Sequence, residues 1–130
     1  MYYYTMKTIL IVDDSRIMRN IVKNHFSDLK IVCRYIEASN GDEALEQLIK
    51  NEIDLVLLDW NMPKLSGIDF LKKVRAIGKY ADLPIIMITS EAAKYNVIEA
   101  LKTGATDYII KPINGKFFME KVMTIFKQRR

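Results

Sequence analysis

A single cysteine, Cys33, rules out a disulfide framework within the chain and reads as a small packed hydrophobe. A single histidine, His25, lies in an amphipathic helical pattern with no second ligand at metal spacing, so it reads as a boundary residue. Three prolines and five glycines are too few and too scattered to make a linker or a low-complexity tract. No apolar run approaches the roughly 20 residues that cross a bilayer. The opening Met1–Lys7 carries three tyrosines and lacks the apolar centre of a signal peptide. A cytoplasmic protein without membrane insertion is expected. A concentrated basic surface is missing too. The net charge of +4 is spread over several segments, with small clusters at Lys72-Lys73-Arg75 and at Arg129-Arg130. Solvated helix faces account for those clusters, and no nucleic-acid partner is expected.

What is present suits one domain: 130 residues, half of them hydrophobic, with no internal repeat. Short apolar runs alternate with amphipathic stretches. The runs are Thr8–Val12, Ile53–Leu58, Pro84–Ile88 and Tyr108–Ile110, with a more mixed one at Ile31–Glu37 that suits a sheet edge. Their β-branched, nearly continuous apolar character predicts strands covered on both faces. Helices are predicted over Ser15–Leu29, Asn40–Asn51, Ile68–Ile77, Glu91–Lys102 and Lys116–Lys127. Ser15 can cap the first. Ala93, Val97, Ala100 and Leu101 are expected inward on the fourth, which stops at Gly104. Phe118, Val122, Ile125 and Phe126 share one face of the last.

This order is (βα)₅, an α/β class: right-handed crossovers give a doubly wound parallel sheet between two helical layers. Any site then belongs at the carboxyl ends of the strands, where the strand order reverses. Those ends carry Asp13-Asp14, Asp59, Thr89-Ser90 and Lys111-Pro112. Three close carboxylates repel, so a proton or a cation must intervene. A hard divalent ion with oxygen ligands solves this, and Mg²⁺ takes one or two carboxylates plus water and a phosphate oxygen. One aspartate is left to attack phosphorus and form an aspartyl phosphate. Lys111 supplies positive charge and Thr89 a hydroxyl donor. Asp59, on the central strand facing both, fits the acceptor role best.

Each residue alone has an ordinary structural reading. Asp14 could cap the first helix, Thr89 the fourth; Lys111 could be a solvated edge lysine and Tyr108 core. Convergence at four strand ends argues against reading them singly. Two acids where a glycine-rich phosphate loop would stand exclude dinucleotide, flavin and P-loop sites. Adjacent acids followed by Ser15 also lack the Asp-x-Asp pattern of haloacid-dehalogenase phosphatases. No general base is evident near Asp59, which argues against a multiple-turnover hydrolase.

Asp13-Asp14, Asp59, Asn61-Met62-Pro63, Gly67, Thr89, Tyr108 and Lys111-Pro112 together resemble the receiver domains of two-component response regulators. The resemblance runs from about Lys7 to the C-terminus. It is strongest to the stand-alone chemotaxis type through "DWNMPKLSG" and "TSEAAKYNVIEALKTGATDYIIKP". It implies a flavodoxin-like receiver with strand order 2-1-3-4-5, in a single domain over 1–130 with residues 1–6 as an extension. It implies that Asp59 is phosphorylated by a histidine kinase. Mg²⁺ is held by Asp14, Asp59 and the Asn61 backbone carbonyl, with Asp13 acting through water. Thr89 and Lys111 contact the phosphoryl group. Thr89 and Tyr108 form the switch. The Lys111–Pro112 bond is cis, an isomer tolerable only before proline. Asn61 and Glu91 modulate dephosphorylation, which the protein catalyses on itself without turning over a separate substrate. Lys94, Tyr108, Phe117 and Lys121 form the partner face, though Phe117 could instead pack on a neighbouring loop. The implied partners of this monomer are the kinase, a flagellar motor switch protein and a phosphatase. A phosphorelay carrier or phosphate sink, or a receiver cut from a longer regulator, remain the alternatives. The ending Lys-Gln-Arg-Arg, directly after the last amphipathic helix, favours a complete domain. Ser90 departs from the alanine common in the chemotaxis type, and Ile113 from phenylalanine. Tyr2-Tyr3-Tyr4 lies outside the resemblance.

Overall fold

The computed structural model describes residues 6–29, 32–62, 65–90 and 94–128. The element order is β1 Lys7–Val12, α1 Arg16–Ser27, β2 Cys33–Ala38, α2 Gly41–Lys50, β3 Leu55–Asp59, α3 Gly67–Arg75, β4 Ile85–Thr89, α4 Lys94–Thr103, β5 Asp107–Ile110 and α5 Gly115–Gln128. The five strands are parallel in the order β2-β1-β3-β4-β5. The order reverses at the β1–β3 pair, where Val12 faces Leu58 in register.

Strand alternation sorts the core into two layers. Ile9, Ile11, Leu55, Leu57, Ile86, Ile88 and Ile109 face α1 and α5, which contribute Val22, Phe26, Phe118 and Val122. Leu10, Val12, Val56, Leu58, Ile85 and Met87 face α2, α3 and α4. Every residue of β3 and β4 is buried, as expected of central strands covered on both faces. Each buried leucine or isoleucine there contributes about 2 kcal/mol of transfer free energy.

Polar side chains set the helix starts. Ser15 accepts from Met18 N–H, Asn40 from Glu43 N–H and Ser66 from Asp69 N–H. Ser15, and not Asp14, is therefore the cap of α1. Gly104 ends α4 with φ +115°, a left-handed conformation that favours glycine.

Several boundaries differ from the sequence expectations. β3 begins at Leu55 because Asp54 turns both its N–H and its carboxylate to Thr8. α3 ends at Arg75 and a 3₁₀ turn follows at Gly78–Tyr80, which the apolar pattern did not reveal. Leu101, expected inward, is 44% exposed. Asn96 and Ala100, one turn apart, take the inward stripe of α4, and Leu101 is rotated about 100° from Ala100. Ala93 and the predicted start of this helix at Glu91 lie outside the described residues. Among those described, no helix is long and apolar enough to cross a membrane.

Candidate functional site

Period-2 geometry explains which side chains meet at the carboxyl edge. Asp13 and Asp59 continue the alternation of Ile9-Ile11 and Leu55-Leu57, toward the α1/α5 side. Lys111 continues that of Ile109, toward the same side. Thr89 and Tyr108 follow Met87, toward α4. One sheet edge thus divides into an acid–lysine group and a hydroxyl–aromatic pair.

Asp13 and Asp59 are buried and Asp14 is exposed; one carboxylate oxygen from each lies within 4.8 Å of the others. Lys111 Nζ stands 3.1 Å from Asp59 Oδ1 and 3.7 Å from Asp13 Oδ2. Burial pushes both the Asp59 and the Asp13 carboxyl above the usual range. For Asp59 the Lys111 ammonium and the Asn61 N–H work against that shift, while the nearby Asp14 adds to it. For Asp13 the Ser15 N–H opposes it and the charge of Asp59 reinforces it. The group holds more negative charge than one lysine neutralises. An all-oxygen, hard donor set of this kind fits a divalent ion such as Mg²⁺.

The loop after β3 is shaped around Asp59. Trp60 N–H donates to Ile88 O, and Gly67 N–H donates to Trp60 O, both at 2.9 Å. A Cβ on Gly67 would overlap the Asp59 carbonyl oxygen and lie 3.0 Å from Trp60 Cα, so only glycine lets α3 start this close. Asn61 is exposed beside the carboxylate that its N–H faces. Thr89 is buried at the end of β4, and its carbonyl accepts from Lys111 N–H at 2.8 Å. The Lys111–Pro112 peptide is cis.

Tyr108 is half-buried against the α4 side of the core, and Lys121 Nζ sits 4.3 Å over its ring. The same ammonium bonds Asp107 Oδ1 at 2.8 Å. Tyr108, Ile110, Pro112, Phe117 and Lys121 line an open groove of about 430 Å³. Phe117 is 57% exposed there, off the core stripe of α5. Glu91, Pro63 and the Lys94 side chain lie outside the described residues.

A profile of the response regulator receiver domain matches residues 9–123. The chain belongs to the response regulator receiver domain family. A chemotaxis protein CheY homolog of Campylobacter jejuni is 46% identical over 115 residues, 88% of each chain. Chemotaxis protein CheY1 of Helicobacter pylori is 46% identical over 118 residues, covering 90% of this chain and 94% of that one. Among solved structures, the Vibrio cholerae chemotaxis response regulator CheY4 superposes with a TM-score of 0.83 at 32% identity, over 93% of this receiver and 99% of that chain. Receivers of this CheY-like kind are signalling proteins rather than turnover enzymes.

Arg19 is a site neighbour that the motif reading passed over. Its Nη1 donates to the Asp13 carbonyl oxygen at 2.7 Å, and its Nε to Glu37 Oε1 at 2.9 Å. The signal available was position: one turn beyond the Ser15 cap, a long side chain leans back over the helix N-terminus. Its second partner, Glu37, depends on the β1–β2 register, in which Ile11 faces Glu37.

Proposed function

We propose that this receiver is a phosphorylation switch of chemotaxis signalling, working as one receiver unit. Asp59 accepts a phosphoryl group from a histidine kinase, and the phosphorylated form binds a flagellar motor switch protein. The carrying observation is a buried Asp59 that shares a 4.8 Å carboxylate cluster with Asp13 and Asp14 and has Lys111 Nζ at 3.1 Å.

An Asp59 carboxylate oxygen attacks the phosphorus as the P–N bond to the donor imidazole breaks, and the leaving nitrogen takes up a proton. Such a transfer depends on positioning and charge neutralisation. Asp14, Asp59 and the Asn61 carbonyl would hold Mg²⁺, with Asp13 acting through water. The ion supplies neutralisation of the phosphoryl oxygens. Lys111 neutralises a further oxygen and holds the acceptor carboxylate in place. Hydrolysis of the acyl phosphate returns the protein to its starting state, with Asn61 and Glu91 modulating its rate.

Phosphorylation adds roughly −1.5 to −2 charge at the strand end. Thr89 responds by donating to a phosphoryl oxygen, and Tyr108, on the same side of the sheet, follows inward. That movement changes the groove between β5 and α5, where Phe117 and Lys121 meet the partner, and Lys94 belongs to the same partner face. Intact mass after exposure to phosphoramidate with Mg²⁺ tests the reading. One phosphoryl group on wild type and none on Asp59→Asn is expected, together with tighter binding of a motor-switch peptide by the phosphorylated form. Equal peptide binding by both forms would leave a receiver with a different target.

A further inference from the structure

We infer that Arg19 is a positioning residue for the divalent-ion site, holding the Asp13–Asp14 peptide in the orientation that aims Asp14 at the ion; this rests on the Mg²⁺ reading above. The peptide that joins the two acids is anchored at few points. Asp13 N–H donates to Ala38 O at 3.1 Å, and Asp13 Oδ1 accepts from Ser15 N–H at 2.8 Å. The first acts on Asp13 ahead of its carbonyl, and the second closes a turn from the Asp13 side chain over the Asp13–Asp14 peptide to Ser15 N–H, leaving the carbonyl oxygen to another partner. The carbonyl itself, which with the Asp14 N–H defines the peptide plane, is held by Arg19 Nη1 at 2.7 Å. Asp14 is exposed, and among the described residues no hydrogen bond of its side chain pairs it with another residue in the way Lys111 pairs with Asp59. Its direction therefore follows from the backbone.

Arg19 is itself held. Its side chain is 15% exposed, and its Nε bonds Glu37 at the outer strand β2. Glu37 also accepts from Lys23 at 3.0 Å. The guanidinium fork lets one side chain join β2 to the loop after β1, which a lysine ammonium cannot reproduce with the same geometry. The chain of contacts Lys23–Glu37–Arg19–Asp13 thus carries rigidity from the sheet edge to the ion site.

Positioning and plain electrostatics predict opposite signs, which makes the inference decidable. Removing a positive charge beside three carboxylates should by Coulomb attraction alone tighten Mg²⁺ binding. Loss of positioning should weaken it. Mg²⁺ would be titrated by Trp60 fluorescence and by calorimetry on wild type, Arg19→Met and Arg19→Lys, with thermal melts in EDTA as the folding control. The expected result is a Kd raised about tenfold in Arg19→Met, as for other residues that orient metal ligands. A smaller rise is expected in Arg19→Lys, which keeps the charge and remains informative should the methionine variant fail to fold. An unchanged or lower Kd in a folded variant overturns the inference while leaving the ion site intact. Absence of Mg²⁺ binding in wild type overturns both the ion site and the role of Arg19.

Discussion

Asp54 and Asp59 flank the same apolar strand, Leu55–Leu58, and differ in which end they occupy. At the amino end, Asp54 accepts from Thr8 N–H at 2.7 Å, while its own N–H donates to Thr8 O at 2.9 Å. The carboxylate replaces a ladder acceptor and stitches β3 to β1. At the carboxyl end, Asp59 meets Asp13, Asp14 and Lys111. In a parallel sheet all strands finish on one edge, so acids that follow β1 and β3 must approach one another there. Among the described residues, the amino edge gathers no such group around Asp54. Chemistry at this site comes from the direction of the chain and the switch in strand order, and aspartate is only the material.

The largest effect should separate these two aspartates outright. Asp59→Asn is expected to abolish the mass gain from phosphoramidate, whereas Asp54→Asn should keep it near wild type. Phosphorylation of Asp59→Asn at full stoichiometry would break the comparison. Next, Lys111→Met removes the cation beside the acceptor; the phosphorylation rate should fall about a hundredfold, as when one charge-stabilising donor is lost. Stopped-flow Trp60 fluorescence would read this, and a rate within threefold of wild type would count against the role.

Stability should split the two ends in opposite directions. Asp54→Ala leaves Thr8 N–H without its acceptor, so urea unfolding should show a loss of about 1–2 kcal/mol. Asp13→Asn keeps an oxygen for Ser15 N–H but removes a buried charge, so it should raise Tm in EDTA by roughly 3 °C, near 1 kcal/mol for a domain of this size. The pH dependence fixes the sign. Burial raises the Asp13 pKa in the folded state above the ordinary carboxylate value. The folded form then keeps its proton to higher pH than the unfolded form, and wild type loses stability as pH rises through that raised value. The advantage of Asp13→Asn should be absent below the unfolded carboxylate range and fully developed at neutral pH. Saturating Mg²⁺ should reverse the order, because the ion binds the folded form. A variant no more stable than wild type at pH 7 in EDTA would contradict this account.

The reading of the sequence succeeded where a local rule acts on neighbouring residues. Ser15 as a cap, Gly104 as a stop, the apolar runs of β1, β3 and β4 and the α5 stripe of Phe118, Val122 and Ile125 each follow from propensity or periodicity. The acid and lysine positions were legible too, because the (βα)₅ order sends every strand end to one edge. Leu101 was misplaced because an apolar residue on a short helix can occupy the flank when a neighbouring Asn96 and Ala100 fill the inward stripe.

What the amino-acid order determined by itself is thus the element order, the helix caps and the set of polar residues at the strand ends. Tertiary structure alone decided their pairings. Lys111 chooses Asp59 over Asp13 by 0.6 Å (3.1 against 3.7 Å), Lys121 covers Tyr108, and Arg19 reaches both Asp13 and Glu37. Arg19 and Asp13 are 6 positions apart in the chain and Lys111 and Asp59 are 52 apart. Their distances depend on strand register and helix packing, which no local pattern encodes, and on the burial that makes each charge seek a partner.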